Sequence, residues 1–278
     1  MPYYDAADAA IYFEVFPDPE RSRRDDEGPP LVLLHGYALN SCMWDLQKPV
    51  FSKTRNVITV DLRGLGDSSC GKRWSGAVMA EDVAGLIRSM DLNNVTLLGF
   101  SMSGPVAVRL ALEMPGAISK LILVSSILPS SGRPKAKSEM KIQQKEFDIL
   151  RLRGIRAWAE FMGLRDGPFV DNMFKRNSEI TPLWDAMLAR HHVDFLLRMM
   201  ESRMNTESSV DWRSRLPEIT QPTLVIAGAK DSRFLDASRR LAEAIPNARL
   251  EIISGAGHMV NLEDVKRFNE VVLGFLNS

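Results

Sequence analysis

Two cysteines are all that this chain of 278 residues contains, and Cys42 and Cys70 have neither metal-ligand nor redox spacing. A disulfide between them is open by count alone, and two buried thiols is the reading adopted. Long apolar runs are missing as well. None approaches the ~20 residues of a transmembrane helix, so no membrane partner is expected. Neither sign of charge is in excess: Lys+Arg and Asp+Glu are both 35. That balance offers no electrostatic footprint for nucleic acid or an anionic membrane. The opening MPYYDAADAA is acidic and lacks the charged-then-apolar order of a signal peptide, so the cytoplasm is the expected compartment. There is no internal repeat and no low-complexity tract. What is present is 45% hydrophobic and 25% charged, which with this length suits one large α/β domain or one domain carrying an insertion.

Short apolar runs bounded by turn residues recur along the chain. Ile11–Phe16 alternates as a strand does, and Tyr3–Ala6 can pair with it as a hairpin through Asp8. Pro17–Pro30 reads as a polar loop. Leu31–Leu34, Val57–Val60, Val95–Leu98, Leu121–Val124, Thr223–Ala227 and Leu250–Ile253 read as strands, and continuous β-branched-rich runs of this kind fit buried parallel strands. Helical patterns lie between and after them, at Val78–Met90, Pro105–Met114, Ala237–Ile245 and Leu262–Leu276. Such alternation predicts a mostly parallel sheet covered by helices on both faces, with reactive groups at the carboxyl ends of the strands. One region departs from it. From Pro129 to Pro217 only helical stretches appear, chiefly Lys141–Leu152, Ile155–Met162 and Thr181–Met200. The expected division is therefore a core domain from 1–128 and 218–278, with a helical insertion at 129–217.

The strongest local signal is Leu97-Leu98-Gly99-Phe100-Ser101-Met102-Ser103-Gly104, where a strand runs into a serine and a helix begins at once. A sharp strand-to-helix turn lifts a serine hydroxyl clear of the sheet and requires small flanking residues. Gly99 satisfies that need, while Ser103 stands where a G-x-S-x-G pattern has its second glycine. Pro105 falls in the first helical turn, where its missing N–H does no harm. A serine that merely caps a helix is the plain alternative.

A serine nucleophile needs a base, and the base needs a group to fix its tautomer. Of the four histidines, His35 ends the first core strand and reads as structural, holding the loop after it. His191 and His192 lie in the helical region. Adjacent helical residues face different sides and no further ligand has suitable spacing, so they read as cap packing or solvent-facing rather than metal-binding. His258 sits in Ser254-Gly255-Ala256-Gly257-His258, after the last strand. Asp231 follows the strand Thr223–Ala227 and supplies the acid; nearby Asp236 reads as the N-cap of the Ala237–Ile245 helix. The order Ser101, Asp231, His258 is that of a strand-borne serine triad. Backbone N–H groups of Met102 and of Tyr37, turned by Gly36, are the candidate oxyanion donors, leaving the Tyr37 ring to shape the pocket or add a hydroxyl contact. Trp44, Trp158, Phe161, Met162, Trp184, Met187 and Met199 are mostly packing residues. Trp158, Met162, Trp184 and Met259 are the candidates for the substrate pocket.

With these residues in place, the chain resembles the α/β-hydrolase superfamily over nearly its whole length. LVLLHGY at Leu31–Tyr37, VDLRGLGDS at Val60–Ser68, LLGFSMSG at Leu97–Gly104, IAGAKD at Ile226–Asp231 and GAGH at Gly255–His258 carry the likeness. VDLRGLGDS is similar to the capped esterase, lactonase, epoxide-hydrolase and haloperoxidase-like branch. The resemblance implies an eight-stranded, mostly parallel sheet with a helical cap between the sixth and seventh strands. It also implies no cofactor, and it makes Asp61 and Arg63 a structural loop pair. Dehalogenases and epoxide hydrolases of this fold carry Asp at the elbow, so serine points to acyl-enzyme chemistry. The expected activity is hydrolysis of a carboxylic ester or lactone of a medium-sized, largely apolar small molecule, by a monomer or homodimer without a metal. A carbon–carbon bond hydrolase or a cofactor-free perhydrolase would use the same triad, and a ligand receptor with little turnover would retain it.

Overall fold

The computed structural model describes residues 2–16, 28–126, 136–164, 167, 170–205 and 212–278. Most of the loop expected at Pro17–Pro30, and the boundary expected at 128/129, lie outside these residues. Eight strands are described: β1 (Tyr3–Asp5), β2 (Ala10–Phe16), β3 (Gly28–Leu34), β4 (Arg55–Val60), β5 (Val95–Phe100), β6 (Ile118–Val124), β7 (Thr223–Gly228) and β8 (Ala248–Ile253). They form one sheet in the order β1-β2-β4-β3-β5-β6-β7-β8. β1 pairs with β2 and β2 with β4 antiparallel, and every later pairing is parallel. The expected eight-stranded, mostly parallel sheet is thus the observed one, down to the terminal hairpin.

Apolar content decides which strands lie inside. All six residues of β5 and of β7 are buried, as are the last four of β3. Both faces are covered, so these strands read as unbroken apolar runs. Burial of one such aliphatic side chain contributes about 1.5–3 kcal/mol, which makes the centre of the sheet the rigid part of the molecule. Trp44 packs edge-on to Phe100 and stacks with Phe268, tying β5 to the last helix.

The helices in chain order are α1 (Lys48–Phe51), α2 (Gly76–Ser89), α3 (Gly104–Glu113), α4 (Lys137–Phe161), α5 (Asp171–Arg176), α6 (Thr181–Ala189), α7 (Val193–Asn205), α8 (Leu235–Ala244), α9 (Val260–Glu263) and α10 (Val265–Leu276). Four of them, α4 to α7, run between the sixth and seventh strands. Gly154, at φ 76°, breaks α4 into the two helical stretches that the sequence pattern separates. Thr181–Met200 departs from expectation, being two helices instead of one. The break falls at Arg190–His192, where the side chains of Arg190 and His191 turn inward onto the core loops while His192 stays exposed. Arg190 contacts Asp67, while the His191 ring accepts from the Gly66 N–H at 3.0 Å and meets the Ala38 carbonyl at 3.1 Å. Asp236 also departs from expectation. It lies inside the first turn of α8, whose N-cap is Phe234, and caps nothing with its side chain.

Candidate active site

β5 delivers Ser101 to the carboxyl edge of the sheet, where a single 3-10 turn, Ser101–Ser103, leads into α3. Ser101 has φ 51°, a left-handed conformation that costs a non-glycine residue roughly 1–3 kcal/mol. Such strain persists only where the surroundings enforce it, and here they do. A Cβ on Gly99 would lie 2.7 Å from the Ser103 carbonyl oxygen and 2.9 Å from the Ala107 Cβ. Strand and helix approach that closely because nothing stands between them. Ser103, in the place of a second glycine, puts its hydroxyl to use. It accepts from the Phe100 N–H at 2.9 Å and donates to the Leu34 carbonyl at 3.0 Å, joining the turn to the end of β3.

The histidine loop is held by charge. Glu263 on α9 is buried and accepts from the Gly257 N–H at 2.6 Å and the Met259 N–H at 3.0 Å. One carboxylate therefore grips the residues on both sides of His258. The His258 Nδ1 lies 2.8 Å from Oδ2 of Asp231, whose Oδ1 accepts from the Phe234 N–H at 3.3 Å. Asp231 is 4% exposed. A carboxylate there favours the Nδ1–H tautomer and leaves Nε2 as the basic nitrogen. The ring makes tilted contacts with Phe234 and Phe100, with centroids at 4.5 and 5.3 Å.

Ser101, His258, Tyr37 and Met102 line one cavity of about 330 Å³. That is the low end of the ~300–1,000 Å³ usual for small-molecule sites. Met162, Trp184 and Met259 share the lining, and Met162 and Trp184 come from the helical segment. Trp158 does not belong with them. It is wholly buried, its indole N–H donating to Glu146 at 3.1 Å. The Tyr37 hydroxyl is likewise engaged, donating to Oε1 of Glu146 at 2.5 Å, so its proton is not spare for a substrate. Burial pushes its ionisation far above the usual tyrosine range. The guanidinium of Arg203 lies 4.6 Å over the Tyr37 ring.

The supporting loops differ from expectation in one respect. Asp61 and Arg63 do not pair with each other. Asp61 accepts from the Ser41 and Asp67 N–H groups at 2.7 and 2.9 Å, whereas Arg63 forks onto both oxygens of Asp82 and also reaches Asp8. Each thus closes a different loop. His35 is buried, donating through Nδ1 to the Gly36 carbonyl and accepting at Nε2 from the Leu62 N–H, both at 2.8 Å. Burial lowers its pKa and keeps it neutral. His192 is exposed beside Asp67 and shares no ligand position with His191. Cys42 and Cys70 are free and buried, and burial raises the Cys70 thiol to about 11.

Sequence reasoning passes over Glu146, Glu263, Arg203 and Asn172. Asn172 on α5 donates to the Gly255 carbonyl and to Glu263, bringing the helical segment onto the histidine loop. In the sequence, these four look like ordinary polar residues of amphipathic helices.

Residues 31–271 match the model of the alpha/beta hydrolase family, and the chain belongs to that family. Over 260 residues it is 26% identical to a putative 2-succinyl-6-hydroxy-2,4-cyclohexadiene-1-carboxylate synthase of Bacillus subtilis, covering 91% of this chain and 93% of that one. It is 30% identical to a 2-hydroxy-6-oxononadienedioate/2-hydroxy-6-oxononatrienedioate hydrolase of Dechloromonas aromatica, covering 88% and 86% of the two chains. Among solved structures, the enol-lactonase from Burkholderia xenovorans superposes over all of both chains with a TM-score of 0.80 at 24% identity, a likeness of fold. Esterases also appear among the structural neighbours, and the family and its relatives make the chain a hydrolase in the general sense. No described helix is long and apolar enough to cross a membrane.

Proposed function

We propose that this chain is a serine hydrolase that cleaves a carboxylic ester or lactone of a small, largely apolar molecule through an acyl-enzyme. The observation that carries the reading is the 2.8 Å contact of Asp231 with His258, whose ring shares one cavity with a serine held at φ 51°. Ser101 attacks the carbonyl carbon as His258 Nε2 takes its proton. Asp231 keeps the ring in the required tautomer and offsets the imidazolium charge. The N–H groups of Met102 and Tyr37 stabilise the oxyanion. Collapse of the intermediate expels the alcohol, protonated by His258. Water, deprotonated by the same nitrogen, then releases the acid. The helices α4 to α7 act as a cap over this site, and Met162, Trp184 and Met259 contact the substrate body.

The test is turnover by purified protein on ester and lactone panels, with stopped-flow monitoring of p-nitrophenol release. A burst stoichiometric with enzyme is expected from esters whose acyl-enzyme is slow to hydrolyse. Absence of turnover on every ester and lactone would reject the reading. The relatedness to the Dechloromonas hydrolase favours a second reading, carbon–carbon cleavage of a vinylogous diketone by the same residues. A higher kcat/KM on such a diketone than on any ester would select it.

A further inference from the structure

Asn172 of α5 touches both of the loops that carry Asp231 and His258. Its side-chain amide donates to the Gly255 carbonyl at 3.1 Å and to Oε2 of Glu263, the carboxylate that holds the N–H groups on either side of His258. Its side-chain carbonyl accepts from Nζ of Lys230, the residue before Asp231, at 3.3 Å. We propose that Asn172 is a positioning residue, which sets the Asp231–His258 geometry from the helical segment and, through α5, makes that geometry answer to what fills the cavity. The proposal rests on the hydrolase reading of Ser101.

The surroundings favour an orienting role over a stabilising one. Main-chain bonds already join the two loops, the Lys230 N–H donating to the Ala256 carbonyl at 2.8 Å and the Ala229 N–H to the Ile253 carbonyl at 3.0 Å. The fold therefore does not need Asn172 to bring them together. What these bonds leave open is where the Glu263 carboxylate sits, and with it the N–H groups of Gly257 and Met259. A hydrogen bond to a carboxylate is about twice as strong as one between neutral groups, so the Asn172 amide can fix that place. Arg176, one turn further along α5, grips the same loop. Its Nε donates to the Glu263 main-chain carbonyl at 3.0 Å and its Nη2 meets Asp264 at 3.4 Å. Gly255, at φ 76°, leaves room for it, since a Cβ there would lie 2.7 Å from Nη1 of Arg176.

The same helix also meets the cavity. Val170, its N-cap, lines the cavity with Ser101, and Phe174 packs edge-on at 6.1 Å against Trp184, which lines it too. A helix of six residues is not stable by itself, so contacts on both sides set its place. A substrate body long enough to rest on Val170 and Trp184 steadies α5 and the loops that α5 holds, whereas a short one does not reach. Binding energy from the non-reacting part of the substrate is in this way turned into orientation of the base.

The experiment compares p-nitrophenyl acetate with p-nitrophenyl hexanoate in wild type, Asn172→Ala and Asn172→Asp. Asn172→Ala should lower kcat on the hexanoate by about 10- to 100-fold, the cost of a displaced catalytic group, with KM little changed. On the acetate the loss should be smaller. Asn172→Asp keeps the shape and the acceptor for Lys230 but sets a like charge against Glu263, so it should be at least as impaired as the alanine variant. Both variants should melt within a few degrees of wild type. Equal losses on the two esters, or an Asn172→Asp protein as active as wild type, would overturn the proposal. A readout that needs no turnover is the downfield proton resonance of the His258 Nδ1–H in Ser101→Ala protein, which should broaden or move upfield when Asn172→Ala is added. An unmoved resonance would overturn the proposal and leave the hydrolase reading intact. A displaced resonance, with no turnover of any ester by wild type, would reject the hydrolase reading and leave Asn172 as the residue that sets the Asp231–His258 pair.

Discussion

On one side of the cavity, Ser101 and Asp231 follow β5 and β7, whose residues are all buried and whose places are set by parallel ladders on both sides. On the other side, α4 to α7 join the same apolar core through residues such as Trp158, Met187 and Met199, and add polar contacts at particular atoms. Glu146 takes the Tyr37 hydroxyl, His191 the Gly66 N–H, Arg190 the Asp67 carboxylate, and Asn172 the Gly255 carbonyl. Apolar packing is strong and non-directional, so it suits a rigid platform. Buried hydrogen bonds add little net stability, about 0.5–1.5 kcal/mol each, but they fix orientation and are costly to leave half made. The sheet thus supplies strain and position, and the helical side supplies registry.

The largest effect expected from breaking the sheet side is loss of chemistry. Ser101→Ala should reduce kcat by about 10⁴-fold or more, with Tm within a few degrees of wild type. Wild-type-like turnover would remove the nucleophile from the account. Asp231→Asn should cost about 10⁴-fold in kcat by spoiling the tautomer. Asp236→Asn should leave kcat within a small factor, because its side chain caps nothing; a larger loss than for Asp231→Asn would reverse the assignment.

Glu263→Gln stands between the two regions. An amide in this buried position can still accept one N–H but turns its own donor toward the other, a cost of about 1–3 kcal/mol. Both kcat and Tm should fall, kcat more than KM, since the loop carrying His258 loosens. An altered Tm with kcat unchanged would mean that Glu263 only supports the fold.

Breaking the helical side should give smaller changes. Glu146→Gln and Tyr37→Phe should each lower kcat by less than the triad variants, and the double variant should be less impaired than the sum of the two. Strict additivity in that cycle would show that the contact does not couple the helical segment to the oxyanion loop.

The same side should also carry a pH signature. Burial lowers the pKa of His191 to about 4, from about 6.5 in an unfolded chain. Between those values the unfolded chain binds more protons than the folded one, so stability present above pH 6.5 is lost as the pH falls toward 4. The shift corresponds to about 3 kcal/mol at most. Burial moves His35 in the same direction. Chemical denaturation of wild type and His191→Gln across this range is the check. The variant, less stable at neutral pH, should lose less on acidification; parallel curves would contradict the assignment.

Strand positions, the elbow and the Asp231–His258 contact were legible in the sequence, because each follows from a local rule. Val95–Leu98 is an unbroken apolar run. Gly99 and Ser101 share one turn, and His258 sits in the glycine-rich loop after the last strand. The helical side obeys no such rule. Glu146 has the spacing of a solvated helical acid and only the fold turns it inward. Trp158 and Trp184 look alike in sequence, yet one is sealed behind Glu146 and the other faces the cavity. Thr181–Met200 keeps a helical period across the break at Arg190–His192, because the contacts that break it lie on the loops carrying Ala38 and Asp67, far away in the chain. Asp61 and Arg63, two residues apart, invited pairing, but their side chains serve separate loops.

The central claim is that Ser101 is an activated nucleophile, and a fluorophosphonate probe measures that most directly. Folded wild-type protein should take up one probe per chain, mapped by peptide mass spectrometry to Ser101. Labelling should disappear in Ser101→Ala and fall sharply in His258→Ala. No adduct on folded wild-type protein, or an adduct on another residue that survives Ser101→Ala, would contradict the account.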